Sequence, residues 1–163
     1  SQLQNTIRSH FKYNTMNFKF MICIFSLTAI VESVSWKDCG SKAGKIASVN
    51  VTGCEAEGTC SLKHGTNVTV SACFVPSEVV KTVKANVHGV LSIIPVPFPL
   101  SNPDGCVNSN LQCPLQAGKQ YCYRSSIFVR PEYPKLKLVV KWELQDQASK
   151  DVICFVIPAV ITD

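Results

Sequence analysis

From residue 45 onward, apolar side chains recur at every second position in short blocks, at roughly 45–52, 67–75, 80–91, 120–129, 135–145 and 151–162. A period of two marks strands that turn one face toward a core and the other toward water. The block 135–145 carries it most clearly: Leu136, Leu138, Val140, Trp142 and Leu144 share one face, and Lys137, Lys141 and Glu143 take the other. Turn chemistry separates the blocks, as in Asn102-Pro103-Asp104-Gly105 and Ala117-Gly118-Lys119. With no convincing amphipathic helix, the pattern predicts an all-β fold in which two sheets pack into an immunoglobulin-like sandwich.

One stretch departs from this alternation. Val83, Ala85 and Val87 begin a strand against Lys84, Asn86 and His88, but the continuation interleaves Pro95, Pro97 and Pro99 with Val96, Phe98 and Leu100. Each proline removes a backbone donor and fixes its own φ, so this run is an edge segment or a rigid loop and never a central strand. A stiff segment with apolar residues between its prolines is either a preformed wall for a greasy ligand or a plug at one end of the sandwich.

The chain opens on Ser1, and residues 1–15 are polar, with no period that would bury anything. They read as translated upstream sequence before a start at Met16. Asn17 and Lys19 then precede an apolar run of 12 residues, Phe20 to Val31, and Ser33-Val34-Ser35 supplies small residues for cleavage. The expectation is a secretory signal peptide over 16–35, too short to span a membrane. The remaining 128 residues, 36–163, suffice for one domain with one core. They carry 13 Lys and Arg against 10 Asp and Glu, scattered singly. That distribution disfavours nucleic acid as a partner.

Eight cysteines lie in 36–163, at 39, 54, 60, 73, 106, 113, 122 and 154. An even number in a secreted domain signals a disulfide framework, and the count alone leaves 105 pairings open. Zinc is disfavoured: there is no C-x-x-C, and only His64 and His88 accompany the cysteines. No metal or other cofactor is expected. Asn50-Val51-Thr52 and Asn67-Val68-Thr69 are acceptor sequons that place Asn50 and Asn67 at the surface as glycosylation sites. No G-x-S-x-G occurs, and Asp104 sits in a turn where Asp bonds locally. No catalytic constellation emerges, so an enzyme is not expected. His88 falls on the polar phase of its strand, either idle or at a pocket mouth or partner surface.

Several motifs in this order carry a family resemblance: W-K-D-C-G-S at 36–41, V-N-V-T-G-C at 49–54, H-G-V-L at 88–91, P-V-P-F-P at 95–99 and P-D-G-C at 103–106. Glu132-Tyr133-Pro134, K-L-V-V-K-W-E-L-Q-D at 137–146 and Cys154 followed by Ile157-Pro158 continue it. Together they resemble the MD-2-related lipid-recognition (ML) family, in its sterol-carrying branch. The mite group 2 allergens of the same fold lack P-V-P-F-P. The resemblance implies a lipid pocket between the sheets, with Val96, Phe98, Val129, Tyr133, Pro134, Trp142 and Phe155 as its wall and Leu91 near the mouth. Phe155 departs from the tryptophan of the sterol carriers, and a smaller ring there is expected to widen the pocket.

The resemblance also implies the bridges Cys54 to Cys60, Cys106 to Cys113 and Cys39 to Cys154. The last joins the two ends of the domain and disfavours a true immunoglobulin arrangement. Cys73 and Cys122 are departures from the family pattern. Both fall on the non-core phase of their strands, and they are expected to pair with each other. His88, Val90, Ile93 and Ile94 are expected to form an exposed transfer surface.

The function implied is that of a monomeric sterol carrier of the extracellular fluid or the endolysosomal lumen. It would hand its lipid to a membrane surface or to a membrane sterol receptor of the Niemann-Pick C1-like kind. The alternative is an immune or chemosensory recognition module of the same fold, taking a microbial lipid or a small hydrophobic signal.

Overall fold

The structure is a computed structural model that describes residues 35–54 and 58–163. The upstream segment 1–15 and the signal peptide lie outside these residues, apart from Ser35. Nine strands form among the described residues: β1 (Lys37–Asp38), β2 (Gly44–Val51), β3 (Cys60–Lys63), β4 (Asn67–Pro76), β5 (Lys84–Leu91), β6 (Ile94–Phe98), β7 (Tyr121–Phe128), β8 (Lys137–Gln145) and β9 (Asp151–Thr162). They make two sheets. The larger has the order β1-β9-β8-β5-β6, with β3 also on β9, and the smaller is β2-β4-β7. All pairings are antiparallel except β3 with β9.

The alternating blocks become strands with small differences at their ends. The block 80–91 is regular only from Lys84, and Val80 instead makes an isolated bridge to Leu115. The proline run is a true strand, β6, at the edge of the large sheet. Prolines at alternate positions point their nitrogens the same way, so at outward positions they remove no ladder bond to β5. Strand β3 is an addition that the alternation did not predict.

Side chains on the inner faces make the core. Trp142, Phe155, Phe74 and Tyr123 are fully buried. Trp142 stacks on Phe155 with ring centroids 6.4 Å apart and planes 2° from parallel, and Tyr123 meets Trp142 edge-on at 6.1 Å. These rings tie β8 and β9 of the large sheet to β7 of the small one. The P-D-G-C turn packs closely on the start of β5: a Cβ on Gly105 would lie 2.5 Å from Val83 Cγ1. Only glycine fits there.

Four disulfides staple the sandwich: Cys39–Cys154, Cys54–Cys60, Cys73–Cys122 and Cys106–Cys113. Cys73 and Cys122 are direct partners in the β4–β7 register, on the outer face of the small sheet. Their bridge closes a loop with a sequence separation of 49. In the chain-entropy picture, replacing both with serine should lower stability by about 4 kcal/mol. Urea unfolding of the double variant measures the change. Two free thiols mapped to these positions in the unfolded, unreduced protein would contradict the bridge.

Candidate lipid-binding site

The site grows from the hairpin β5–β6, which a tight turn at Ser92-Ile93 closes; Ser92 has φ 56°. Strand register then lines up inner-face rows across the large sheet. Phe98 pairs with Val87, Val87 with Trp142 and Trp142 with Phe155. In the next row Val96 pairs with Gly89, Gly89 with Val140 and Val140 with Ile157. The second row has a notch at Gly89. A Cβ added there would come 3.1 Å from Leu138 Cδ1, so the missing side chain leaves the space that Leu138 leans into.

Above these rows lies an open cavity of about 430 Å³, a volume typical of small-molecule sites. The large sheet supplies Val87, Gly89, Leu91, Val96, Phe98, Leu138, Val140 and Ile161, and β3 adds Leu62. The other side is Ile127 near the end of β7, followed by Val129, Arg130, Tyr133, Pro134 and Leu136 of the β7–β8 loop. Phe98 and Tyr133 meet edge-on across it, with centroids 5.7 Å apart. The wall is almost wholly apolar, with Arg130, His88 and the Tyr133 phenol as its polar side chains. Deeper between the sheets is an entirely apolar cavity of about 50 Å³, lined by Trp142 and Ile157 among others. The two share Leu62, Ile127, Val129 and Val140, so one layer of side chains separates them.

Of the residues the sequence proposed as wall, the structure brings together Leu91, Val96, Phe98, Val129, Tyr133 and Pro134. Trp142 belongs to the inner cavity instead. Phe155 lines neither: it is fully buried behind Trp142, so its smaller ring opens no space in the outer cavity. Alternation had already put Leu138 and Val140 on the face of Trp142, whereas nothing in the sequence pointed to Leu62. Among the transfer-surface residues, Ile93 is 89% exposed and Ile94 64% exposed at the hairpin tip. Val90 is half-buried on the outer face of the sheet, which corrects the expectation that it is exposed with them.

His88 is half-buried, with Nδ1 3.3 Å from Glu143 Oε2, while Lys141 Nζ lies 2.7 Å from Glu143 Oε1. Glu143 is a buried carboxylate held between two basic side chains. Burial pushes the Tyr123 phenol above its ordinary pKa, so it stays neutral beside Trp142. Glu143, Asp151 and Cys154 approach one another, but the Cys154 sulfur is committed to its disulfide with Cys39. The arrangement offers an apolar container.

The ML domain pattern matches residues 33–161. This chain belongs to the ML-domain family. The chain is 43% identical over 142 residues to NPC intracellular cholesterol transporter 2 homolog a of Drosophila melanogaster, covering 86% of this chain and 96% of that protein. It is 40% identical over 139 residues to NPC intracellular cholesterol transporter 2 of Bos taurus, covering 85% and 92%. The crystal structure of a Niemann-Pick type C2 protein from Japanese carpenter ant superposes with a TM-score of 0.75 at 35% identity, covering 78% of this chain and 99% of that one.

The notch at Gly89 gives a test that is independent of the ligand. Gly89→Val should crowd Leu138 and reduce binding of an apolar fluorescent probe by roughly tenfold, within the 1–3 kcal/mol of an overpacked site. Probe titration against the parent protein checks it.

Proposed function

We propose that the protein carries a sterol, cholesterol or a close relative, in the outer cavity and passes it on without chemical change. The observation that carries this reading is the cavity itself: about 430 Å³, apolar on nearly every side, walled by a proline-stiffened edge strand and a tyrosine-bearing loop. A rigid wall suits a rigid ligand, because little order has to be imposed on binding. A sterol of about 28 heavy atoms at roughly −0.3 kcal/mol per atom binds with about −8 kcal/mol, near micromolar. That strength permits both loading and release. The relatives named as cholesterol transporters, 40–43% identical over most of this chain, support the same ligand class over a microbial lipid or a hydrophobic signal.

The working protein in this reading is the domain 36–163, exported by the signal peptide and released by cleavage after Ser35. Its place is the extracellular fluid or the lysosomal lumen, with Asn50 and Asn67, both exposed, as glycan acceptors. No helix among the described residues is long and apolar enough to cross a membrane. The exposed Ile93 and Ile94 sit at the hairpin tip beside the cavity wall, and they make the first contact with a membrane or a Niemann-Pick C1-like receptor. His88 and Val90 flank that contact.

Two measurements test the reading. Phe98→Ala removes apolar contact from the wall and should weaken sterol binding by about 1–3 kcal/mol in competition against a fluorescent sterol. Displacement by fatty acids or bacterial lipid, with none by any sterol, would refute the sterol assignment. Replacing Ile93 and Ile94 with serine should leave equilibrium sterol binding nearly unchanged while slowing delivery to liposomes. Equal loss of both would show that these residues hold the ligand.

A further inference from the structure

The cavity wall contributed by the β7–β8 loop is tied down by a histidine from outside that loop. At its ends the loop is fixed by backbone bonds: Gly65 N–H to Val129 O at 2.8 Å, Val129 N–H to Thr66 O at 2.9 Å and Ile161 N–H to Leu136 O at 3.0 Å. Beside the ring contact of Tyr133 with Phe98, two polar contacts among the described residues hold its middle to the body of the domain. His64 Nε2 lies 2.9 Å from the Tyr133 carbonyl oxygen, and Lys135 Nζ pairs with the Asp163 carboxylate. His64 Nδ1 also lies 3.2 Å from Asp163 Oδ1. The His64 backbone is itself fixed by its N–H to Thr162 O at 2.8 Å, and its side chain is only 13% exposed.

Both ring nitrogens of His64 thus face oxygen acceptors, a carbonyl on one side and a carboxylate on the other. A neutral imidazole has one donor and one lone pair. If Nε2–H donates to Tyr133, the lone pair on Nδ1 opposes the lone pairs of Asp163. Only the doubly protonated ring donates to both. Asp163 remains a carboxylate for this purpose, its pKa lowered by hydrogen bonds from Lys135 and then from His64. The charged groups that meet the ring or its partner are Asp163, the residue after β9, and Lys135 from the loop; Lys63, next to His64 in the chain, and Arg130 and Glu132, the other charges of the loop, are exposed.

We propose that His64 is a pH-dependent latch of the cavity mouth: its protonated ring holds the Tyr133–Pro134 wall in place against Phe98, and loss of that proton loosens the wall. The proposal rests on the outer cavity being the ligand site. It makes His64 a positioning residue that retains the ligand while its ring donates from both nitrogens and eases the ligand's exchange once one of those protons is lost.

The test is the release rate of a bound fluorescent sterol between pH 5.5 and 7.5. In the parent protein release should slow by roughly three- to tenfold on acidification, the worth of about one net hydrogen bond. His64→Gln, which can still donate to the Tyr133 carbonyl but does not titrate, should flatten the profile, and so should Asp163→Asn. A parent profile that is flat, or one that persists in His64→Gln and Asp163→Asn, would overturn the latch.

Absence of sterol binding at every pH would instead overturn the carrier reading. The latch is then decided without ligand, by hydrogen exchange of the amides of Glu132, Tyr133 and Lys135 after correction for intrinsic rates. Protection that rises at pH 5.5 in the parent protein but not in His64→Gln supports the latch, and equal protection in both refutes it.

Discussion

A three-stranded sheet packed against a larger one leaves part of an apolar face without a sheet opposite, and the architecture follows from how that face is covered. Near β8 and β9 the cover is complete, where Tyr123 of β7 closes on the Trp142–Phe155 stack. Toward β5 and β6 the register still turns Leu91, Val96 and Phe98 inward, but the facing wall is the end of β7 and a loop. Loops cannot pack as densely as a second sheet, so a cavity opens where the sheet cover ends. The edge that borders it has prolines at 95 and 97 within β6 and at 99 just after it, which stiffen the edge and blunt it against pairing with another chain.

A container of this kind acts by shape and exclusion of water. Its aromatic jambs, Phe98 and Tyr133, stand on different elements, one on a strand and one on a loop. The strand side is fixed by the ladder to β5. The loop side depends on a few polar contacts at its middle, which makes it the wall able to yield when a ligand passes. Holding and releasing are thereby assigned to different residues, as carriage at moderate affinity requires.

Much of the architecture was readable because burial on one face writes itself into the sequence with a period of two. Leu138, Val140 and Trp142 of β8 show it, and so does the proline run, whose missing donors confine it to an edge. Strand β3 was not readable: Cys60–Lys63 is four residues long and holds its place by parallel pairing to distant β9, which no local pattern encodes. Leu62 was therefore missed as wall, and His64, one residue past that strand, as a tie to the loop. Phe155 illustrates a second limit. Its strand phase correctly places it inward, but whether an inward residue meets a cavity or another ring depends on the layer opposite it. The family resemblance narrowed that choice to a short set of residues and still assigned Phe155 to the wall.

Native mass spectrometry of the purified 36–163 domain after incubation with a mixed lipid extract tests the central claim most directly. The account predicts one dominant complex, a single added mass equal to that of a sterol, weakened when Phe98 or Tyr133 is cut back to alanine. Retention of a phospholipid or fatty acid in place of sterol, or of no lipid at all, would contradict it.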